Sequence, residues 1–280
     1  MEKENYYRTW CVLQRASQEI KWDAVITSVE RQLPEMIDNA ARLDGAGATL
    51  RLDETLEIPR YHRLADIHCM PGGYHSEVTE NDLGAGAIYD RAVYLYAWGR
   101  MGPRNDDMGA STVEYIKREF PDFKPRRILD LGCTVGHSTI PYVDAFPDAE
   151  VHAVDVGAPV LRYAQARANA LGKTVHFSQQ NAELTDYPDG YFDLVVSHIL
   201  LHETSRKAIT RIMAETNRVL APGGLTLHAE VPQYDGMTPY DAFALDWDTY
   251  YNNEPFWGTS HDMSLVDLCV NAGFDADDVI

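Results

Sequence analysis

The chain has 280 residues, a length that suits one large domain or a core domain joined to a smaller one. Its 43 Asp and Glu residues outnumber its 24 Lys and Arg residues, so its surface repels phosphates and we expect no nucleic acid partner. The sequence contains no apolar run of about 18 residues, the minimum for a transmembrane helix, and so predicts no membrane span or membrane partner.

The cysteines favour a reduced, cytoplasmic protein. All four lie far apart in the sequence, and none belongs to a C-x-x-C pair. Residues 1–5 lack the basic and apolar pattern of a secretory signal. Disulfides are rare in reducing compartments, so we expect these thiols to be free.

Residues 1–106 read as a mainly helical cap that precedes the core. Apolar residues at helical spacing predict a helix over 18–43, with a break near Pro34 because Pro lacks the N–H that a helix interior needs. The other predictions here are a possible extended segment at 50–58, a loop at 66–77 around Pro71-Gly72-Gly73, a helix packed on most sides at 85–98, and a domain boundary at 99–107.

Residues 107–280 alternate strand and helix patterns, which predicts an α/β domain with a doubly wound, mostly parallel sheet and helices on both faces. The predicted strands are 127–131, 150–156, 174–178, 192–199 and 225–231. The predicted helices are 111–120, 137–146, 159–171, 205–220 and 263–271. The segment 232–260 is crowded with aromatic residues but reads as loop-like.

The stretch 128–139, I-L-D-L-G-C-T-V-G-H-S-T, organises this core. An apolar strand reaches Asp130, and Gly132 and Gly136 follow before a helix opens. Glycine at such a turn permits positive φ and lets the backbone approach a ligand closely. The free N–H groups at the start of the helix add to a site at the carboxyl end of the strand.

This stretch resembles the first motif, D/E-x-G-x-G-x-G, of the class I S-adenosylmethionine-dependent methyltransferases. Asp130 and Gly132 match the acid and the first glycine, and Gly136 matches the last. Thr134 stands where the middle glycine is usual, which narrows the space for the cofactor. The resemblance implies a Rossmann-like methyltransferase fold that uses S-adenosyl-L-methionine.

Three later stretches also resemble this family. Asp155 ends the second predicted strand, at the offset of a ribose-binding acid, although it also suits the N-cap of the next helix. Asn181-Ala182-Glu183 follows the third strand, where the family contacts adenine, although Asn181 also suits a plain turn. The run R-V-L-A-P-G-G at 218–224 resembles the turn before the family's fifth strand.

The stretch 197–203, S-H-I-L-L-H-E, is similar to one at the fourth strand of small-molecule methyltransferases. His202 and Glu203 are candidates for a general base on the acceptor, since such a group must lie beside the reacting atom. The alternative is that His198 lines the cofactor pocket while His202 packs or caps the next helix. His198 and His202 straddle a strand end without an acidic cluster, so we expect no metal ion.

The resemblance gives a full set of expected site residues. Those assigned to the cofactor are Asp130, Gly132, Cys133, Gly136, Asp155, Val156, Asn181, Ala182, Ser197 and His198. Candidates for the walls of an apolar or aromatic substrate pocket are Tyr74, Tyr234, Tyr240, Trp247 and Tyr251. Their alternative role is in the core or in a homo-oligomer contact.

The hypothesis is therefore a methyltransferase that acts on a small, apolar or aromatic metabolite. A nicotinamide-dependent oxidoreductase is disfavoured, because counting from Gly132 the G-x-G-x-x-G positions fall on Thr134 and His137. An inactive cofactor-binding module that serves as a partner subunit stays open. The family usually adds two more strands after the fifth. The residues that follow the fifth predicted strand have room for only one short strand, so we expect the terminal strands to be short or missing.

Overall fold

A computed structural model describes residues 4–280, and residues 1–3 of the predicted cap lie outside the described part. Its sheet has six strands, all parallel, in the order β1-β4-β3-β2-β5-β6. The strands are β1 (Thr49–Arg51), β2 (Arg127–Leu131), β3 (Glu150–Asp155), β4 (His176–Gln179), β5 (Phe192–His198) and β6 (Leu220–Ala229). The predicted α/β class, with a doubly wound and mostly parallel sheet of the methyltransferase type, is confirmed.

Ten helices surround the sheet in the described chain. They are α1 (Asn5–Leu43), α2 (Arg60–Arg63), α3 (Gly84–Tyr96), α4 (Asp107–Glu119), α5 (Thr139–Ala145), α6 (Ala158–Ala170), α7 (Arg206–Val219), α8 (Pro239–Tyr251), α9 (Trp257–His261) and α10 (Leu265–Ala272). Short 3-10 turns occupy Ile67–Cys69, Leu201–Glu203 and Ala276–Asp278.

The central strands are buried on both faces, as near-continuous apolar runs require in a parallel sheet. Ile128 of β2 packs in a cluster with residues of α4, α5 and α6. Leu129 and Leu131 of the same strand point the other way and pack with residues of α7 and α10. Because neighbouring residues of β2 point to opposite faces of the sheet, a layer of helices packs on each face. Because β2 pairs with β3 on one side and with β5 on the other, the crossovers diverge there and open a crevice at the carboxyl ends.

Helix α1 does not break at Pro34, which corrects the sequence prediction. A proline inside a helix removes one hydrogen bond, a cost of about 3 kcal/mol. The helix nevertheless carries a stripe of buried residues up to that point, with Trp22, Val25, Val29 and Leu33 at spacings of three and four. Packing of this stripe compensates the lost bond, because tertiary burial contributes more to helix stability than local propensity.

Helix α3 forms where predicted, and it is buried through its first turn and again at Ala92, whereas the end of its last turn is exposed. Gly84, Ala85, Gly86 and Ala87 are buried. The following Trp98 is 84% exposed, so the helix is not packed on most sides as expected. The small residues at its start let α3 approach α6 closely, and this contact fixes the cap against the core.

The turn at 218–224 differs from the prediction. Helix α7 ends at Val219, and Leu220 already pairs with Phe192 in the sheet. The next pair along these strands is Leu194 with Leu225, so the chain between them bulges out of β6. Gly223 supplies the positive φ, 77°, that this bulge needs.

The aromatic-rich segment at 232–260 is largely helical rather than loop-like, which corrects the prediction. Thr238 caps α8, since its hydroxyl accepts a hydrogen bond from the N–H of Asp241, and Pro239 occupies the first helical turn. Trp247 is buried on α8, and its ring stacks on Trp10 of α1 with centroids 3.8 Å apart. Helix α10 ends at Gly273, as predicted.

After β6, residues 230–280 add helices and turns but no further strand. No helix of the described chain is both long and apolar enough to cross a bilayer. Strand β1 lies in the predicted cap yet pairs with β4 at the edge of the core sheet. The division of the chain near residue 106 stays a prediction.

We predict that Gly86→Ala weakens the attachment of the cap to the core. A Cβ at residue 86 would overlap the Cβ of Tyr163 and lie 3.2 Å from the Cα of Val160. Overpacking of this kind costs about 1–3 kcal/mol, which urea unfolding would measure. The matched control is Gly258→Ala in α9, where a Cβ meets nothing within 4 Å. Equal stability of the two variants would contradict the assigned packing.

Candidate active site

A crevice of about 670 Å³, open to solvent, lies at the carboxyl ends of β2, β3 and β5. Eight predicted site residues line it, namely Tyr74, Gly132, Asp155, Val156, Asn181, Ala182, His198 and Glu203. They come from separate parts of the chain, because parallel strands bring their carboxyl ends to one edge of the sheet. The fold therefore brings eight of the seventeen predicted site residues together at one place.

A smaller cavity of about 290 Å³ adjoins this crevice. It is lined by Asp130 and Cys133 of the predicted set and by His137 and Ser138. The two spaces share Gly132, Thr134, His198 and Tyr89 as lining residues. Together they form an elongated site with Asp155 in one part and Asp130 in the other.

Three positive φ angles in five residues shape the turn after β2. They are 71° at Gly132, 48° at Thr134 and 74° at Gly136. A Cβ at Gly132 would lie 2.5 Å from the side chain of Leu200, whereas one at Gly136 would meet only ordinary contacts. Residue 132 must therefore be glycine both because a side chain would clash with Leu200 and because φ is positive there. At residue 136 only the positive φ favours glycine. Thr134 adopts the left-handed backbone of the glycine that usually stands at its position.

Asp155 holds this turn from the next strand. One carboxylate oxygen accepts the N–H of Thr134 at 3.0 Å, and the other accepts the N–H of Gly157 at 2.9 Å. Burial raises the pKa of Asp155 to about 6, against the opposing effect of these N–H groups. Each oxygen keeps a further lone pair, so the carboxylate is able to accept two more hydrogen bonds from a ligand.

Asp130 is buried beneath the smaller cavity. Its carboxylate accepts a hydrogen bond from the Thr139 hydroxyl at 2.6 Å. His198 Nδ1 lies 3.8 Å from its other oxygen, and His198 Nε2 is within 3.2 Å of the Thr112 and Tyr142 hydroxyls. These contacts hold the His198 ring on the shared wall of the two cavities.

Asn181 and Ala182 lie at the Asp155 part of the crevice. The Asn181 side chain accepts the N–H of Glu183 at 2.9 Å and so also closes its own turn. Gln180, which the sequence did not single out, lines the same wall, and its amide oxygen accepts the N–H of Asp186. Ser197 and Gly136 do not line either cavity, and the Ser197 hydroxyl pairs with His228 at 2.7 Å.

Of the two candidate bases, Glu203 reaches the crevice and His202 does not. His202 is fully buried, its Nδ1 is 2.7 Å from a Glu230 oxygen, and its ring lies edge-on to Trp257. This arrangement matches the packing role that the sequence left open for His202.

Glu203 belongs to a buried network that joins three parts of the chain. One of its oxygens accepts hydrogen bonds from His68 Nε2 at 3.0 Å and from the Tyr74 hydroxyl at 3.1 Å. The other nitrogen of His68 pairs with Glu254. Burial acts to lower the pKa of His68, but the two carboxylates raise it to about 10, so the ring carries a proton. Burial conversely acts to raise the pKa of Glu203, but the His68 hydrogen bond and charge outweigh it and lower that pKa.

Only Tyr74 among the five aromatic candidates lines the crevice. Tyr240 is 74% exposed, and Trp247 packs on Trp10, with Tyr251 beside it. Tyr234 packs on His261. Within residues 4–280, no three His, Cys, Asp or Glu side chains form a group suited to a metal ion.

Tyr61, His62 and Tyr89 line the crevice although they are not among the expected site residues. Tyr61 and His62 belong to α2, a four-residue helix between the possible extended segment at 50–58 and the predicted loop at 66–77. Tyr89 lies on α3, one turn after the small residues that contact α6. The run G-A-G-A at 84–87 is the signal for that close approach, and it would have directed attention to Tyr89.

We predict that Thr134→Gly does not destabilise the protein, unlike most substitutions at a buried turn. A β-branched residue in the left-handed region is strained, at a cost of about 1–3 kcal/mol, and glycine removes this strain. The entropy that glycine adds to the unfolded chain offsets at most about 1 kcal/mol. Urea unfolding should give a free energy equal to or above that of the parent. Gly132→Ala is the paired variant and should lose stability. If Thr134→Gly lost as much stability as Gly132→Ala, Thr134 would not be strained in the parent protein.

The comparisons with known proteins agree with this geometry. A family model described as "Methyltransferase domain" matches residues 128–224, the segment from β2 into the bulge of β6. The demethylmenaquinone methyltransferase of Thermus thermophilus is 34% identical over 135 residues, which cover 48% of this chain and 59% of that protein. The malonyl-[acyl-carrier protein] O-methyltransferase of Halorhodospira halophila is 33% identical over 105 residues, 38% of this chain and 35% of that one.

The chain thus spans less than two thirds of the length of these relatives. Among solved structures, phosphoethanolamine N-methyltransferase 2 of Haemonchus contortus, in complex with S-adenosyl-L-methionine, has a TM-score of 0.53 and 19% identity. The match covers 70% of this chain and 45% of that one, and it shows a shared fold. Residues 128–224 are therefore a methyltransferase domain, and its strand-end motif and the order of the sheet are those of the class I S-adenosylmethionine-dependent methyltransferases.

Proposed function

We propose that the chain transfers the methyl group of S-adenosylmethionine to a small molecule that has an apolar or aromatic part. The observation that carries this proposal is the pair of carboxylates, Asp130 and Asp155, on neighbouring strands. They flank a left-handed turn that faces an elongated crevice. Such a site offers acceptors for the hydroxyls and the amino group of the cofactor at its two ends.

The residues fit the cofactor in both parts of the site. Asp155 would accept the ribose hydroxyls with the lone pairs that Thr134 and Gly157 leave free. Asn181 and Ala182 would contact the adenine, with Val156 beside them. Asp130 would meet the methionyl end in the smaller cavity. A side chain at residue 132 would fill the space between, which only glycine leaves open beside Leu200.

When bound there, the cofactor supplies a methyl group that its positively charged sulfur already activates. The protein therefore has to hold and align the acceptor, and alignment alone contributes several kcal/mol to lowering the barrier. Tyr61, Tyr74, Tyr89 and Ile212 give the crevice apolar walls that would exclude water from the reacting atoms. Glu203, rather than His202, would contact the acceptor, since it reaches the crevice.

The predicted cap at 1–106 would act as the substrate-side wall, because it provides Tyr61, His62, Tyr74 and Tyr89. The four free cysteines support a cytoplasmic location. A second candidate function is an inactive, cofactor-binding partner subunit. It is favoured by Thr134, which lines both cavities at a position where the family usually has glycine.

We predict that S-adenosylhomocysteine binds more weakly as the pH falls below about 6. The pKa of Asp155 is raised from its ordinary value to about 6, so the carboxylate that would accept the ribose hydroxyls is lost through protonation near that pH. If only the ionised form binds well, the affinity falls up to about tenfold per pH unit below the pKa. Calorimetric titration between pH 5 and about 8 measures this dependence.

Two variants make that titration specific. Asp155→Asn should bind weakly at every pH and lose the pH dependence, because the amide does not titrate. Asp122→Asn removes an exposed carboxylate between α4 and β2 and should match the parent throughout. Unchanged affinity in Asp155→Asn would remove the ribose role from Asp155.

A turnover assay distinguishes an active methyltransferase from an inactive, cofactor-binding partner subunit. The protein is incubated with S-adenosylmethionine labelled in the methyl group and with a metabolite extract, and products are identified by mass spectrometry. A labelled product that requires the protein supports the enzyme. Binding of S-adenosylhomocysteine without any labelled product would favour the partner subunit instead.

A further inference from the structure

Glu203 lines the crevice and keeps one oxygen without a hydrogen bond in the described chain. Its Oε1 takes both hydrogen bonds, from His68 and from Tyr74, and Oε2 has no partner within residues 4–280. The side chain is 15% exposed, and Glu203 is one of the residues that line the crevice. The hydrogen bonds from His68 and Tyr74 fix the orientation of the carboxylate, so the position of Oε2 as a hydrogen-bond acceptor is also fixed.

The wall around Glu203 is negative. His68 lies between Glu203 and Glu254, so when both acids are ionised the three side chains carry one surplus negative charge. No Lys or Arg is among the described residues that line the crevice. In a buried site such a charge attracts a cation and disfavours an anion more strongly than it would in water.

His62 supplies a second acceptor. It lines the crevice in the Tyr74 region, and its Nε2 is buried without a hydrogen-bond partner in the described chain. Burial lowers the pKa of His62, so the ring is neutral at neutral pH, and Nε2 accepts a hydrogen bond in the tautomer protonated at Nδ1. A buried unpaired nitrogen is costly unless a ligand or water completes it.

We propose that this wall binds the nitrogen of a primary amine, which is the methyl acceptor. The inference rests on the proposed function and deepens it by naming the substrate class. Two acceptors, Glu203 Oε2 and His62 Nε2, match the two N–H bonds of a neutral primary amine. The lone pair then points away from both acceptors and is free to react. The Tyr74 and Tyr89 rings, 5.4 Å apart and edge to face, offer π surface to the cation that forms.

The charges balance without a proton transfer at the reacting step. The amine has lost its extra proton to water beforehand, and its lone pair forms the new carbon–nitrogen bond to the methyl group. The carbon–sulfur bond breaks and its electron pair stays on sulfur, which becomes neutral. The nitrogen becomes a methylated ammonium, and its positive charge develops beside Glu203.

The sign of that charge selects amines over phenols and acids. An oxygen acceptor reacts as an anion or develops toward one as its proton leaves, and the Glu203 carboxylate would repel it. An amine becomes more positive along the reaction, so the same carboxylate stabilises its transition state more than its ground state.

The test uses three probes of similar shape on protein saturated with S-adenosylhomocysteine. They are 2-phenylethylamine, 2-phenylethanol and 3-phenylpropionate, titrated by calorimetry near pH 8. We expect the amine to bind at least about tenfold more tightly than the alcohol and the acid, the effect of roughly one charge-assisted hydrogen bond.

Variants assign that preference to the wall. Glu203→Gln should lose most of the amine preference, and His62→Phe should weaken amine binding while leaving alcohol binding unchanged. Glu114→Gln removes the same charge from an exposed site on α4 and should bind all three probes as the parent does. Each variant is first checked for unchanged S-adenosylhomocysteine affinity and a cooperative thermal transition.

The outcomes separate this inference from the proposed function. Failure to bind S-adenosylhomocysteine would overturn the proposed function itself. Normal S-adenosylhomocysteine binding with no amine preference, with no binding of any probe, or with a preference that survives Glu203→Gln would overturn the amine assignment alone. Incubation with labelled S-adenosylmethionine should also yield an N-methylated amine whose rate of formation rises with pH toward the pKa of the amine.

Discussion

The site depends on hydrogen bonds that tie the turn after β2 to strand β3. The N–H groups of Gly132 and Cys133 both donate to the Val154 carbonyl, and the N–H of Thr134 donates to the Asp155 carboxylate. These bonds hold the backbone in a left-handed path that glycine adopts freely and threonine adopts only under strain. The same carboxylate that fixes the turn faces the crevice, so the conformation of the loop and the charge of the proposed cofactor site are set by one group.

The His68 network plays a corresponding part on the other side of the crevice. His68 comes from the predicted cap, Glu203 from the 3-10 turn after β5, and Glu254 from the segment between α8 and α9. A protonated imidazole between two buried acids is stable only while all three are together, since removing one partner leaves an uncompensated charge. The network therefore makes the wall that presents Glu203 depend on the docking of the cap and of the C-terminal helices.

The local part of this architecture could be predicted from the sequence. The bounds of β2 agree with the prediction, and Asp130 and Asp155 lie at the ends of neighbouring strands, because a short apolar run before a Gly turn specifies its own conformation. Helix α8 was missed because Thr238-Pro239 was read as part of a loop, although it is a capping signal. The positions of Tyr61 and His62 depend on how residues 4–106 pack on the sheet, which no local pattern encodes. Trp247 and Tyr240, which the sequence analysis selected for the substrate pocket, do not line the crevice.

The placement of carboxylates also limits which chemistry suits the crevice. Both oxygens of Asp155 already accept an N–H, whereas within residues 4–280 Asp130 and Glu203 each accept at one oxygen only. In the proposed reaction one positive charge moves from sulfur to the acceptor, and no charge is created or destroyed when the acceptor is an amine. The fixed negative charge of the wall then attracts the positive cofactor before the transfer and the positive ammonium product after it. An acceptor that ended neutral would lose this attraction along the reaction, so the Glu203 wall would oppose its transfer.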